Sequence, residues 1–156
     1  VVTQRARDNG GPTLAFQLLW YPSTTADMSL PSMSENVDAP ILDRDVVAAF
    51  LHWYLPAGMD ITEPESLPPA LAPANTADLS GLPPAYIGTA EHDPIRDDGA
   101  RYAELLAAAG VPVELHNSPT MVHAFVNFAA VVPAAAEATD RGLAALRAGL
   151  RRSIPA

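Results

Sequence analysis

Residues 14–21, LAFQLLWY, form a short and nearly continuous apolar run that Pro22 closes. This pattern is typical of a strand that is buried on both faces of a parallel sheet. A second run of the same kind, AYIGTA at 85–90, follows the turn sequence GLPP. A third strand is predicted at 111–117, where apolar and polar residues alternate, so that one of its faces is exposed. Because doubly buried strands need helices on both faces of the sheet, the pattern predicts an α/β protein.

Helical patterns precede and separate these strands. Residues 1–12 end in Gly-Gly-Pro, which indicates the last turns of a helix that stops there. A second helix is predicted at 43–55, and a third runs to about Ala109 with Asp97 and Asp98 as its caps. With right-handed crossovers, this alternation of strands and helices predicts that the strands run parallel.

The last helix is predicted from about residue 133 to residue 152. Acidic residues stand early in this segment and arginines late, which matches the helix dipole. Its leucines recur at helical spacing and are predicted to lie on one face, namely Leu143, Leu146 and Leu150.

The domain organisation follows from these elements. With 156 residues the chain has the length of one domain, and we interpret residues 1–156 as part of a single one. In this interpretation residues 1–12 end a helix, and residues 85–156 form a strand-helix-strand-helix unit. Residues 23–84 form a long excursion between the first two strands. A structureless connection of this length is unusual, so the excursion is predicted to form functional or lid-like surface.

Charge and composition exclude several classes of protein. Nine basic residues against 18 acidic ones give a net charge of −9, which opposes binding to nucleic acid or to an anionic membrane surface. The chain lacks a twenty-residue apolar run, so no membrane span is predicted. It begins without the pattern of a secretory signal, and we expect a cytoplasmic protein. With no cysteine, an enzyme of this sequence has to use hydroxyl, imidazole or carboxylate chemistry.

Two polar residues follow neighbouring predicted strands at their carboxyl ends, where open parallel sheets carry their functional groups. Asp93 follows the second strand and His123 follows the third. One β-α-β unit brings these ends together, so the pair can serve as the orienting acid and general base of a hydrolytic triad. Taken singly, Asp93 also fits a turn former and His123 a packed histidine. The carboxylates nearby lack the spacing of a calcium loop, and neither a metal nor another cofactor is predicted.

The sequences of these segments resemble those of a known protein family. The stretches LPPAYIGTAEHDPIRDDG and PTMVHAF are similar to the C-terminal half of bacterial carboxylesterases of the hormone-sensitive-lipase-like branch of the α/β-hydrolase fold. The resemblance implies a partial α/β-hydrolase fold, with its last three parallel strands, flanking helices and a long excursion after the first strand. It also implies that Asp93 is the triad acid and His123 the general base. Thr120 and Ala124 stand where the family commonly has glycines.

The resemblance further implies ester hydrolysis without a cofactor. The family's oxyanion-hole segment and G-x-S-x-G nucleophile elbow would lie upstream of the first strand, and neither occurs in this sequence. We therefore expect a missing N-terminal half as partner, a small ester as substrate and no activity from this chain alone. Ile95, Val122 and Ala124 are expected to border the substrate pocket, and strand 111–117 is a candidate edge for a homodimer. The alternatives are a non-catalytic α/β assembly module and a peptidase of the same fold.

Overall fold

The computed structural model describes residues 1–56 and 58–152, apart from the side chain of Arg152. Three parallel strands form one sheet in the order β1-β2-β3. They are β1 (Gln17–Trp20), β2 (Ala85–His92) and β3 (Val113–Val122). The three predicted strands are confirmed, although β1 is shorter than its apolar run and β3 continues past residue 117. Strand β3 lies at an edge of this sheet. Pairing of two copies of the chain through this edge stays a prediction.

Helices account for most of the remaining regular structure. They are α1 (Val2–Asp8), α2 (Pro31–Glu35), α3 (Arg44–Tyr54), α4 (Arg96–Ala108) and α5 (Pro133–Arg152). All of these except α2 were predicted, and α1 ends just before Gly10, whose φ of +63° favours glycine. Among the described residues, no helix is both long enough and apolar enough to cross a membrane.

Alternate residues of the central strand point to opposite helices. Ile87 on β2 packs in one apolar cluster with Leu106 of α4. Ala90, on the other side of the same strand, packs in a separate cluster with Ala138 of α5. Because side chains alternate along a strand, α4 and α5 cover opposite faces of the sheet. The central strand is therefore buried on both sides, as its apolar run predicts.

The prediction that Asp97 and Asp98 cap α4 is wrong. Ile95 occupies the position before the helix, and no side chain there accepts a capping hydrogen bond. Both aspartates lie in the first helical turn, where their charge suits the dipole. Their carboxylates instead reach the excursion, since Asp97 accepts a hydrogen bond from the Ser32 N–H and Asp98 accepts one from the Thr24 N–H. The carboxylates accept hydrogen bonds from residues distant in sequence, because the fold brings these donors close to the start of α4.

The excursion, residues 23–84, has its own apolar core. Helix α3 begins where predicted, with the Asp43 side chain accepting a hydrogen bond from the Val46 N–H at 2.7 Å. Single 3-10 turns lie at Pro64–Ser66 and Pro73–Asn75. The buried side chains of this core come from both helices of the excursion and from its later loops, and they include Met33, Leu42, Val47, Leu51, Leu55 and Leu67. Ile95, directly after β2, completes the same cluster, so the excursion packs onto the end of the central strand.

Helix α5 is confirmed, and it packs on the sheet mainly through small residues rather than through the leucines that share one of its faces. Its buried positions include Gly142 and Gly149, whereas Leu150 is 47% exposed. A Cβ atom added to Gly142 would overlap the ring of Trp20, and one added to Gly149 would overlap the ring of Phe16. The aromatic rings of the first strand segment lie directly on the helix backbone, which leaves no room for leucine side chains there.

Substituting Gly142 by alanine is expected to lower the free energy of unfolding by about 1–3 kcal/mol, because the added methyl group overpacks against Trp20. The matched control is Ala144→Gly on the exposed side of the same helix, which reports helix propensity alone at about 1 kcal/mol. Urea denaturation measures both changes. An increase in stability for Gly142→Ala would show that propensity outweighs the clash.

Candidate active site

Asp93 and His123 meet at the carboxyl ends of β2 and β3, as the strand order requires. His123 Nδ1 lies 2.8 Å from Asp93 Oδ2. The Asp93 side chain is completely buried and the His123 side chain is 21% exposed. The other carboxylate oxygen, Oδ1, accepts a hydrogen bond from the Ile95 N–H at 3.0 Å. The carboxylate is thus held on both oxygens while the imidazole reaches the surface.

An irregularity in the sheet precedes both residues. Ala90 pairs with Ser118, but His92 pairs with Val122, so β3 carries two more residues than β2 over this stretch. Pro119 lies in the extra segment and has no N–H to donate to a strand ladder. Bulges of this kind bend a strand and redirect the side chains that follow. In this chain the next residues are Asp93 and His123.

Ala124 adopts a left-handed backbone conformation directly after His123, with φ of 61° and ψ of 21°. This region costs an L-residue with a Cβ atom about 1–2 kcal/mol and favours glycine. The resemblance implies a glycine at this position, and the left-handed conformation is one that glycine adopts without strain. It turns the chain into the 3-10 turn Phe125–Phe128, where the buried Phe125 ring packs edge-on against Trp20 and Tyr21.

A cavity of about 750 Å³ opens beside the imidazole. His123 and Ile95 line it, together with Tyr21 and Ser23 from the end of β1. Residues of the excursion supply much of the remaining wall, notably Leu42, Val47, Phe50, Leu51, Trp53 and Tyr54. Most of the cavity surface is therefore apolar or aromatic.

The structure separates the predicted pocket residues. Ile95 lines the cavity, whereas Val122 and Ala124 are not among its lining residues. Val122 is the last residue of β3, where side chains alternate between the faces of the sheet, and Ala124 sits in the left-handed turn. Sequence neighbours of His123 therefore need not share its direction.

The sequence analysis did not identify Tyr21 and Ser23 as residues of the cavity. The Tyr21 ring centroid lies 4.6 Å from that of His123. Burial, together with the negative charge of Asp93, raises the pKa of the Tyr21 phenol above its ordinary value. Both residues follow the carboxyl end of β1, so applying the strand-end rule to all three strands would have found them.

Arg96 forms the charged border of this region. Its guanidinium pairs with Asp97, Glu91 and Glu35 at 2.8, 2.9 and 2.6 Å. The hydrogen bond with Asp97 is the largest cause that raises the pKa of Arg96, ahead of the one with Glu35. Burial would raise the pKa of Asp97, but the hydrogen bonds from Arg96 and from the Ser32 N–H outweigh it and keep that pKa below its usual range. Within the described residues, no group of histidines and carboxylates has the arrangement of a metal site.

Curated proteins with similar sequences include two from Mycobacterium tuberculosis. The chain is 73% identical over 150 residues to the carboxylesterase NlhH, an alignment that covers 96% of this chain and 46% of that protein. It is 62% identical over 148 residues to the esterase LipI, covering 94% of this chain and 45% of that protein. The chain spans about half the length of the curated relatives it matches.

Solved structures give the same result for the fold. The crystal structure of DphMB1 superimposes with a TM-score of 0.88 at 53% identity, covering 95% of this chain and 48% of that chain. A bacterial heroin esterase superimposes with a TM-score of 0.88 at 35% identity, covering 95% of this chain and 46% of that chain. These likenesses confirm the resemblance to bacterial carboxylesterases, and this chain covers about half of each of these solved chains. A family model described as alpha/beta hydrolase fold matches residues 1–127, and the chain belongs to that family.

Proposed function

We propose that this chain supplies the acid and the general base of a serine carboxylesterase. The observation that carries the proposal is the 2.8 Å contact between the His123 imidazole and the completely buried Asp93 carboxylate, beside an apolar cavity. This is the geometry that the acid and the base of a hydrolytic triad require, and it supports the proposal. The names of the similar proteins, carboxylesterase and esterase, support the same reaction class.

The hydrogen bond decides which nitrogen acts as the base. Because the Asp93 carboxylate accepts from Nδ1, the neutral imidazole carries its proton there and leaves the lone pair of Nε2 exposed. Nε2 then takes the proton from a serine hydroxyl as its oxygen attacks the ester carbonyl, and it returns that proton to the leaving alcohol. The buried carboxylate stabilises the imidazolium that forms between these steps. A second cycle, with water in place of the serine hydroxyl, releases the acid.

The cavity indicates the substrate class. Aromatic and aliphatic side chains of α3 line the same cavity of about 750 Å³ as the imidazole. A cavity of this size and lining suits an acyl or alkyl group of short or medium length. The serines of this chain lack the flanking glycines of a nucleophile elbow. We therefore assign the nucleophile and the oxyanion hole to an upstream part of the protein.

The test uses a chimera, in which this chain replaces the matching segment of the mycobacterial carboxylesterase NlhH. We expect the chimera to hydrolyse p-nitrophenyl butyrate and to take up one fluorophosphonate adduct, detected by intact mass. The isolated chain is expected to do neither. A cooperatively folded chimera that neither reacts with the probe nor hydrolyses the ester would overturn the proposal. Amide turnover above ester turnover would favour a peptidase instead.

A further inference from the structure

Part of the excursion rests on the loop that carries Asp93. We call residues 91–97, which comprise the end of β2, the turn at 93–95 and the start of α4, the Asp93 loop. Asn36 directly follows α2, and its side-chain amide donates hydrogen bonds to the Glu91 carbonyl at 3.2 Å and to the Asp93 carbonyl at 3.3 Å. One side chain from the excursion thus joins two carbonyls that lie two residues apart in the Asp93 loop.

The position of these carbonyls gives the contact its importance. The Glu91 carbonyl lies at the irregularity between Ala90 and His92, where the regular pairing of β2 with β3 is interrupted. Arg96 Nη1 also donates to this carbonyl, over a long distance of 3.5 Å. A backbone that leaves the strand ladder needs other donors to hold its direction. The Asn36 amide supplies such a donor to the peptide unit before His92 and to the one after Asp93, where the Asp93 carbonyl also accepts from the Arg96 N–H at 3.0 Å.

Hydrogen bonds and an ion pair also fix the backbone that carries Asn36, at the end of α2. The Ser32 hydroxyl is completely buried and donates to the Pro94 carbonyl at 2.7 Å, and the Asn36 N–H donates to the Ser32 carbonyl at 3.0 Å. At the end of the same helix, Glu35 pairs with Arg96 of the Asp93 loop at 2.6 Å. These bonds attach α2 to the Asp93 loop independently of the Asn36 side chain, and they direct that side chain towards the loop.

We propose that Asn36 is a positioning residue for the Asp93–His123 pair. By holding the backbone on both sides of His92, its amide sets the direction in which the buried Asp93 carboxylate meets His123 Nδ1. The inference rests on the proposed esterase function. It assigns to the excursion a part in aligning the acid, in addition to its contribution to the cavity wall.

The chain offers a matched control in Asn75. Its amide also donates to two backbone carbonyls, those of Pro64 and Leu67, at 2.7 and 2.9 Å. Both asparagines are half-buried and both belong to the excursion, but the Asn75 bonds stay within it. Asn36→Leu and Asn75→Leu therefore remove the same group at similar burial, and only the first of them loosens the Asp93 loop.

In the chimera, Asn36→Leu is expected to lower kcat for p-nitrophenyl butyrate by roughly 10- to 100-fold, because small displacements of aligned groups cost that much in rate. KM is expected to stay within about twofold, since Asn36 is not a lining residue of the cavity. Asn75→Leu is expected to leave kcat unchanged. If Asn36→Leu does not unfold cooperatively, Asn36→Asp replaces it, which keeps the shape and exchanges the donating nitrogen for an oxygen.

A proton NMR measurement separates positioning from general stability and does not depend on turnover. The downfield signal of the His123 Nδ1 proton is expected to move upfield or broaden in Asn36→Leu and to persist in Asn75→Leu. An unchanged signal together with unchanged kcat in Asn36→Leu would overturn the inference, as would equal losses in both variants. If the unsubstituted chimera hydrolyses no ester, the proposed function fails, while the proton signal still decides whether Asn36 positions the pair.

Discussion

Replacing His123 by alanine in the chimera is expected to lower kcat by about six orders of magnitude, the size of the loss when a triad base is removed from a serine hydrolase. Without Nε2, no group in this position takes the serine proton or returns it to the alcohol. KM is expected to change little, because the cavity wall belongs mainly to the excursion. Ester turnover and the rate of fluorophosphonate labelling measure the effect. The matched control, His52→Ala, alters an exposed histidine on α3 and is expected to keep full activity.

Asp93 allows a finer test of the same pair. In Asp93→Asn, the side-chain oxygen can still accept from the Ile95 N–H, so the loop is expected to keep its shape. The amide nitrogen, however, donates to Nδ1 and moves the imidazole proton to Nε2, where the base has to be free. We expect kcat to fall by about four orders of magnitude. Retained turnover in either His123→Ala or Asp93→Asn would contradict the assignment of this pair.

Asp98→Ala is expected to lower the free energy of unfolding by about 3–5 kcal/mol, since it leaves buried donors without an acceptor. Asp98 is 1% exposed. Its Oδ1 accepts from the Thr24 N–H at 2.8 Å, from the Thr25 N–H at 3.0 Å and from the Thr24 hydroxyl at 2.5 Å. Both threonines are buried, and they begin the excursion just after cavity-lining Ser23. Urea denaturation measures the loss.

Asp98→Asn is the conservative partner, and pH distinguishes it from the wild type. Its amide oxygen can still accept from the threonines, so its loss of stability is expected to be smaller than that of Asp98→Ala. Burial raises the pKa of Asp98 above its ordinary value, against the hydrogen bonds from Thr24 and Thr25. A raised native pKa means that the carboxyl stabilises the fold fully below the unfolded pKa, about 4, and loses that contribution as pH rises through the native pKa.

The asparagine variant has no ionisation at this site. The difference in the free energy of unfolding between wild type and Asp98→Asn is therefore expected to shrink as pH rises above about 4. Denaturation curves over this range measure it. A difference that grows with pH would mean that hydrogen bonding outweighs burial at this carboxyl, and a loss as large as in Asp98→Ala would mean that the amide does not replace the acceptor.

Local patterns in the sequence were enough to predict the framework. Apolar runs located the strands, Gly10 and Asp43 marked a helix end and a helix start, and parallel connection placed Asp93 beside His123. These predictions succeed because each depends on signals within a few residues, namely side-chain periodicity, capping and backbone conformation. The meeting of the pair needed only one long-range rule, that parallel strands end at the same edge of the sheet.

The tertiary structure alone decided which partners the other residues meet. The pattern at Asp97 and Asp98 suits a helix cap, but folding brings the excursion within reach, and its donors take both carboxylates. The leucines of α5 have helical spacing, yet the ring of Trp20 selects Gly142 for the contact because only a glycine lets the backbone approach so closely. Nothing in the local sequence distinguishes Asn36 from other loop asparagines, whereas the fold brings its amide to the Asp93 carbonyl. A sequence pattern is local, whereas a hydrogen bond or a close contact depends on which distant atoms the fold brings together.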